Sequence, residues 1–200
     1  VMGTGGHEQP ASDWIDERFQ FHFVRGPLTA KNWGCEERAL IDGAALLMHS
    51  YLKDLDAGST RPAKLGFIPH HVSDHFADYA YISEQAGMKY ITTLGCDVEQ
   101  FIRDVKSCDA IVTEALHGAI IADLFRKPWI PMCSGDHIYN YKWDDWCRSV
   151  GLSYQPHRMD FAFTRALSRI NRLENLIKRG LFALGVGKKK WVKRRVLMDT

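Results

Sequence analysis

The sequence predicts an α/β protein in which a Rossmann-like parallel sheet carries helices on both faces and is followed by a helical, basic tail. From residue 64 onward, short apolar runs of strand length alternate with longer stretches of helical periodicity. That alternation is typical of right-handed βαβ units, which build a parallel sheet. Glycines and charged side chains follow several of the apolar runs, which is where loops of such sheets carry ligand sites.

The first sixty residues predict shorter elements. Residues 1–6 (VMGTGG) indicate the end of a strand running into a glycine turn, and residues 21–25 (FHFVR) indicate an extended segment. Pro27 suits the first turn of a short helix that ends near Gly34, because that turn needs no N–H from it. Residues 40–42 indicate another strand end, residues 44–52 are either helix or continued strand, and the polar residues 54–62 form a loop.

The remaining elements alternate more regularly. Apolar runs that end at Pro, Gly or polar clusters predict strands, and the longer amphipathic stretches between them predict helices. The predicted strands are 64–68, 89–93, 110–113 and, as the last one, 129–132. The predicted helices are 74–87, 98–107, 117–126, 140–150 and 161–184.

Composition narrows the class of protein. With 200 residues, 46% hydrophobic and 25% charged, the chain suits one globular domain or slightly more. It has no apolar run of about 18 residues that would span a membrane, and residues 1–10 lack the basic head and apolar core of a signal peptide. Five scattered cysteines without a CxxC pair favour reduced thiols over a disulfide or zinc framework. We therefore expect a cytoplasmic protein without a metal site.

Charge divides the chain in two. Residues 160–200 hold 11 Lys and Arg against 3 Asp and Glu, whereas the preceding residues are net acidic. We expect a Rossmann-like domain over 1–155 and an amphipathic helix with a basic tail over 156–200. The tail is interpreted first as a solvated face, then as a peripheral contact with an anionic membrane. Nucleic acid is excluded as a partner because no nucleic-acid motif accompanies the charge.

Candidate functional residues cluster at four predicted strand ends, which meet along one edge of a parallel sheet. An arginine fork, glycine N–H groups and histidines suit a small molecule with phosphate or carboxylate better than a metal. His117 at the end of an apolar strand can also move a proton near neutral pH. The candidates at these strand ends are Gly5, Arg25, Gly26, His70, Glu114, His117 and Gly118.

Each candidate also has a purely structural interpretation. The glycines are compatible with an ordinary turn, Arg25 with a surface ion pair, His117 with a core histidine and Glu114 with a helix cap. Adjacent side chains of an extended backbone point to opposite sides, so His70 and His71 are not expected to act together, and one of them is expected to be structural.

Five motifs in one order resemble a known family. They are residues 23–30 (FVRGPLTA), 41–47 (IDGAALL), 66–71 (GFIPHH), 113–122 (TEALHGAIIA) with Lys127-Pro128-Trp129, and 142–146 (KWDDW). Together they resemble the polysaccharide pyruvyl transferases, in the branch involved in bacterial exopolysaccharide synthesis. The resemblance runs from residue 1 to about residue 154 and does not cover the tail.

The resemblance implies a fold like the C-terminal half of a GT-B glycosyltransferase. It implies transfer of pyruvate from phosphoenolpyruvate (PEP), a donor substrate needing no separate cofactor, onto two hydroxyls of a saccharide or lipid-linked oligosaccharide as a cyclic ketal. In that family context His117 is the acid/base, Glu114 orients His117, Arg25 clamps an anionic group of PEP, and His70 assists binding or proton movement.

Three departures from the family pattern qualify the resemblance. Ala115 stands where many members have arginine, so Arg25 or Lys142 is expected to supply that charge. Gly43 stands where proline is usual. Family members typically carry a further N-terminal Rossmann-like domain, and the sequence starts near where that domain should end, so we expect most of it to be lacking.

Two other functions stay open on the sequence alone. A nucleotide-sugar-dependent glycosyltransferase could use the same fold, because fold does not fix the donor. A truncated, non-catalytic protein that binds ligand and contacts a membrane through its basic tail is the alternative from another class.

Overall fold

A computed structural model describes residues 1–8, 15–46, 64–75 and 77–159 of the chain. The helix predicted at 161–184 and the basic residues beyond 159 lie outside the described residues. The strands are β1 (Met2–Thr4), β2 (Phe23–Val24), β3 (Leu65–Ile68), β4 (Lys89–Tyr90), β5 (Ala110–Thr113), β6 (Trp129–Cys133) and β7 (His157–Arg158). The α-helices are α1 (Pro27–Asn32), α2 (Tyr79–Gln85), α3 (Val98–Lys106), α4 (Leu116–Leu124) and α5 (Asn140–Ser149). Three 3₁₀ turns are described at Glu36–Arg38, Gly43–Leu46 and Ser73–His75.

Five parallel strands form the main sheet, in the order β4-β3-β5-β6-β7. Ile68 of β3 pairs with Thr113 of β5, which pairs with Pro131 of β6, so the carboxyl ends of these three strands lie side by side. After β3 the chain adds β4 on one side and then β5 on the other. The strand order therefore reverses between β3 and β5, and the predicted parallel α/β fold is confirmed.

Helices cover both faces of this sheet, as predicted. The ring of Phe67 in β3 packs against Tyr79 of α2, with ring centroids 5.3 Å apart. Ile68, the next residue, belongs to a buried apolar cluster with side chains of α3 and α4. Because successive residues of a strand point to opposite faces, α2 covers one face while α3 and α4 cover the other.

A second, smaller sheet holds the N-terminal elements. β1 and β2 pair in parallel, and Ala39 adds an isolated parallel bridge to Val24. α1 starts directly after β2, with Pro27 in its first turn as predicted. This brings Arg25, which lies between β2 and α1, to a strand end.

Several elements differ from the predictions: residues 40–42 form no strand, and the strand predicted over 89–93 spans only Lys89–Tyr90. The predicted helix 74–87 is divided, and α2 begins only at Tyr79, where Asp78 caps it by accepting a hydrogen bond from the N–H of Tyr81. Asp74 instead accepts hydrogen bonds from the hydroxyls of Tyr90 and Thr92. The strand predicted as last is also not the edge, because β7 pairs with β6 beyond residue 155, where we placed the domain boundary.

Within the described ranges, none of the helices combines the length and the apolar character that crossing a bilayer requires.

Candidate active site

Arg25 is buried between two carboxylates. Its side chain is 5% exposed. Its Nε lies 3.4 Å from Oδ2 of Asp145, and its Nη1 lies 3.6 Å from Oδ2 of Asp42. Its Nη2 is buried and has no hydrogen-bond partner among the described residues. Two carboxylates thus hold the guanidinium, and the predicted role of Arg25 as a clamp for an anionic group of PEP stays a prediction.

Asp145 anchors α1 to α5. Its side chain is fully buried, and its Oδ1 accepts hydrogen bonds from the N–H groups of Leu28 (2.9 Å) and Thr29 (3.0 Å). Its Oδ2 accepts a hydrogen bond of 2.6 Å from the hydroxyl of Thr29. The carboxylate thus takes up free N–H groups in the first turn of α1, the donors that a bound anion would otherwise use.

Gly26 and Gly5, both predicted to touch ligand, lie against these side chains instead. A Cβ on Gly26 would stand 2.1 Å from the carbonyl oxygen of Asp145, so the residue must be glycine for α5 to approach. A Cβ on Gly5 would stand 1.8 Å from Nη2 of Arg25, and the next N–H, that of Gly6, donates to the Thr29 hydroxyl. The glycine turn therefore packs against the buried arginine.

His117 lies in the first turn of α4 and is paired with Asp42. The imidazole is 66% exposed, whereas the Asp42 side chain is 6% exposed. His117 Nε2 lies 3.7 Å from Asp42 Oδ1, too long for a hydrogen bond but within ion-pair distance. An exposed imidazole within ion-pair distance of a buried carboxylate is suited to proton transfer, because its ring nitrogens can donate or accept a proton and solvent reaches the ring.

Asp42 is held in the charged form by its neighbours. Burial alone would raise the pKa of its carboxyl, but His117, the N–H of Ala44 at 2.9 Å and the charge of Arg25 together lower that pKa below its ordinary value. Asp42 therefore presents a negative charge to His117 at neutral pH. The same carboxylate links His117 to Arg25 and, through Arg25, to Asp145.

The Glu114 carboxylate binds the backbone of two neighbouring loops, and its predicted role of orienting His117 stays a prediction. Its carboxylate is fully buried and accepts hydrogen bonds from the N–H of His70 (3.2 Å) and the N–H of Ser134 (2.8 Å). These bonds tie together the loops that follow β3, β5 and β6. Among the described residues, the carboxylate beside His117 belongs to Asp42, on a segment far away in the sequence.

His70 and His71 also differ from expectation. The backbone turns at this point instead of staying extended, and the N–H of Asp74 donates to the carbonyl of His70. The two rings consequently lie together, with centroids 4.2 Å apart. The ring of His137, which follows β6, lies 5.5 Å from that of His70.

The last two predicted residues have different surroundings. Gly118 faces the sheet, where a Cβ would stand 2.5 Å from the hydroxyl of Thr113 and 3.0 Å from Ile68. Gly118 therefore permits close packing of α4 on the sheet. The atoms that come close to Gly118 are those of Thr113 and Ile68. Lys142 lies in the first turn of α5, half-buried, with its Nζ 6.0 Å from the ring centre of Tyr139.

Asp42, Asp145 and His137 were not predicted as site residues. Asp42 and Asp145 stood inside quoted motifs, but their partners His117 and Arg25 lie 75 and 120 positions away in the sequence and could not be assigned. A buried aspartate in an apolar, aromatic setting such as WDDW was the available signal, since charges are rarely buried without partners. His137 follows the last predicted strand, and that position alone was a signal.

Comparisons with known proteins fit this geometry. Residues 4–137 match the family model described as polysaccharide pyruvyl transferase. The chain is 33% identical over 172 residues to the succinoglycan biosynthesis protein ExoV of Rhizobium meliloti (strain 1021), an alignment that covers 85% of this chain and 53% of that protein. The chain therefore spans about half the length of this curated relative. No solved structure matches the chain. Because the family model matches more than half of the chain, the chain belongs to the polysaccharide pyruvyl transferase family.

Proposed function

We propose that this chain is a cytoplasmic enzyme that transfers a pyruvyl group from PEP onto two hydroxyls of a saccharide or lipid-linked oligosaccharide during exopolysaccharide biosynthesis. The observation that carries the proposal is the exposed imidazole of His117 beside the buried carboxylate of Asp42. The pair lies at the carboxyl edge of the sheet, where α/β proteins bind their ligands. The name of the relative, a succinoglycan biosynthesis protein, supports a polysaccharide acceptor.

The reaction needs one positioned proton donor and acceptor. Protonated His117 gives its proton to the methylene carbon of PEP, which becomes a methyl group and leaves oxocarbenium character at the neighbouring carbon. A sugar hydroxyl adds to that carbon and its proton returns to the imidazole. The bond to the phosphate oxygen then breaks, inorganic phosphate leaves, and the second hydroxyl closes the ketal as its proton is released. General acid–base help of this kind is typically worth about 10²–10⁴ in rate.

The other buried groups of the pocket support His117. Asp42 lies on the Nε2 side of the ring, and we therefore assign Nδ1 as the nitrogen that exchanges protons with substrate. Arg25 fixes Asp42 from behind and is itself fixed by Asp145. We therefore assign Asp42 as a positioning residue, and Arg25 as the link that keeps Asp42 in place.

Calorimetric titration with PEP and, separately, with UDP-glucose tests the choice of donor. The proposal expects saturable binding of PEP and none of UDP-glucose. The opposite preference would favour a nucleotide-sugar-dependent glycosyltransferase and would contradict the proposal. Pyruvate serves as the matched ligand that lacks the phosphate, and it should bind more weakly than PEP.

Variants at the proton-transfer pair test its role. His117→Ala should reduce the release of phosphate from PEP in the presence of acceptor by about 10²-fold or more, the lower end of what an acid–base group contributes. Asp42→Asn should reduce the same rate less, since the substitution removes the charge 3.7 Å from the ring but leaves the imidazole itself in place. Unchanged rates in His117→Ala would remove this residue from the mechanism.

A further inference from the structure

Glu114 lies where three loops meet at the carboxyl edge of the sheet. It directly follows β5, and its side chain is fully buried. Its Oε2 accepts a hydrogen bond of 3.2 Å from the N–H of His70, in the loop after β3. Its Oε1 accepts a hydrogen bond of 2.8 Å from the N–H of Ser134, in the loop after β6. Since β3 and β6 are the two neighbours of β5, one side chain joins the loops on both sides of this strand.

The same two loops are also joined to each other by buried side chains. The hydroxyls of Ser73 and Ser134 lie 3.3 Å apart, and the Ser73 hydroxyl shares a hydrogen bond of 2.7 Å with Nε2 of His137. Ser73 is fully buried and Ser134 is 7% exposed. Buried polar groups that are hydrogen-bonded to one another form a rigid network. Glu114 is the member of this network that holds the backbone of both loops.

These loops border the part of the sheet where a ligand is expected. The strand order reverses between β3 and β5. In open α/β sheets, ligands bind in the crevice outside the carboxyl ends of the strands at such a reversal. His117 follows Glu114 closely in the sequence, in the first turn of α4. The two loops and the proton-transfer residue are therefore arranged around the end of one strand.

The hydrogen bonds of Glu114 use both oxygens of its side chain. Glutamine has the same length and shape, but it has only one oxygen, and its NH₂ group is a donor. In Glu114→Gln, the N–H of His70 or that of Ser134 would therefore face another donor inside the protein. A buried donor without an acceptor is unfavourable, so the loop that carries it would shift. The substitution thus loosens a loop without opening a cavity in the core.

We propose that Glu114 is a positioning residue that holds the loops after β3 and β6 in the arrangement that binds the donor substrate. The assignment rests on the proposed function, which identifies the donor as PEP. It differs from the orientation of His117 that the family resemblance implies, because the hydrogen bonds of Glu114 go to the backbone of the two loops. Glu114 acts on the binding of the donor, whereas His117 acts on the chemical step.

Steady-state kinetics of ketal formation from PEP separates these two roles. A residue that positions binding loops raises KM when it is lost and leaves kcat nearly unchanged, whereas loss of an interaction made in the transition state lowers kcat. Glu114→Gln should raise the KM for PEP about tenfold, which corresponds to the loss of one hydrogen bond between a loop and the charged donor. Calorimetry should show the same loss of affinity for PEP. His117→Ala should lower kcat instead.

Ile102→Val is the matched control for lost stability. Ile102 of α3 is 2% exposed within the apolar cluster on one face of the sheet, and its truncation costs stability without touching the loops. Destabilisation reduces the folded fraction and with it the apparent kcat, but the KM of the remaining folded enzyme stays the same. Ile102→Val should therefore keep the wild-type KM. Urea denaturation of both variants measures how much stability each has lost.

Amide hydrogen exchange of the free protein, followed by NMR, tests the hydrogen bonds without substrate. In Glu114→Gln, the N–H of His70 or that of Ser134 should exchange about tenfold faster, because an N–H without its acceptor opens to solvent at a lower free energy. The N–H groups of Leu28 and Thr29, which donate to Asp145, should exchange as in the wild type.

The outcomes separate the positioning role from the reaction. A wild-type KM in Glu114→Gln would overturn the proposal, and a lowered kcat at that KM would favour the orientation of His117 instead. Unchanged exchange of both loop amides would also overturn it. If the wild type forms no ketal, pyruvyl transfer is refuted, and faster exchange of these amides in Glu114→Gln would still uphold the holding of the loops by Glu114.

Discussion

Substitution of Asp145 by asparagine should destabilise the fold far more than substitution of its neighbour Asp144. Asp145 is fully buried and accepts three hydrogen bonds of 2.6–3.0 Å from Leu28 and Thr29, besides its pairing with Arg25 at 3.4 Å. Removing one partner of a buried charge pair costs about 3–5 kcal/mol, because the remaining charge stays buried. Asparagine retains one oxygen acceptor and Asp42 still faces Arg25, so we expect a loss of about 2–4 kcal/mol.

Urea denaturation followed by circular dichroism measures this loss. Asp144 is the matched control, since it stands one position earlier in α5, is 36% exposed and pairs with Arg148 on the helix surface at 2.9 Å. An exposed pair of this kind contributes about 0.3–0.5 kcal/mol, so Asp144→Asn should hardly move the midpoint. A loss below about 1 kcal/mol in Asp145→Asn would refute the inference that this carboxylate holds α1, Arg25 and α5 together.

Three further predictions concern individual side chains. The folded-state pKa of Asp42 is lowered, so the contribution of this carboxylate to stability is present above the ordinary value of 3.8 and disappears as the pH falls further. Asp42→Asn should therefore flatten the acid limb of a curve of stability against pH. An acid limb parallel to that of the wild type would contradict the pairing. Gly118→Ala should reduce the free energy of unfolding, measured by urea denaturation, by about 1–3 kcal/mol, because the added Cβ would overlap the Thr113 hydroxyl. Wild-type stability in this variant would show that α4 can shift away from the sheet. Burial raises the pKa of the Cys147 thiol to about 11. Alkylation of the native protein at pH 8, followed by mass spectrometry, should therefore label the partly exposed Cys96 well before Cys147. Equal labelling rates would refute the burial of Cys147.

The sequence was sufficient to predict the main sheet. Apolar runs bounded by Pro, Gly and polar residues located β3, β5 and β6 to within one residue, because buried parallel strands consist almost entirely of apolar side chains. β7 was missed because its two residues, His157 and Arg158, are exposed and polar and become a strand only by pairing with β6. Local composition carries no signal for such an edge strand.

The sequence predicted where the histidines of the site lie, but not which side chains contact them. His117 and His70 were placed at strand ends from the pattern alone, and the structure has both at the carboxyl edge of the sheet. The partner of His117 could not be predicted, because Asp42 lies 75 positions earlier and reaches α4 only through the 3₁₀ turn after the first sheet. Glu114 is nearer in sequence and was therefore predicted to orient His117. Sequence proximity favours neighbours on one loop, whereas a parallel sheet brings together the ends of separate strands.

Carbon-13 NMR of the protein incubated with PEP labelled at its second carbon and a saccharide acceptor tests the central claim most directly. The account predicts that the labelled carbon becomes a ketal carbon, with one inorganic phosphate released for each ketal formed, and that His117→Ala suppresses both. If His117→Ala forms the ketal as fast as the wild type, the assignment of the proton-transfer residue is wrong. If the wild-type protein leaves the labelled carbon unchanged, the account of pyruvyl transfer is contradicted.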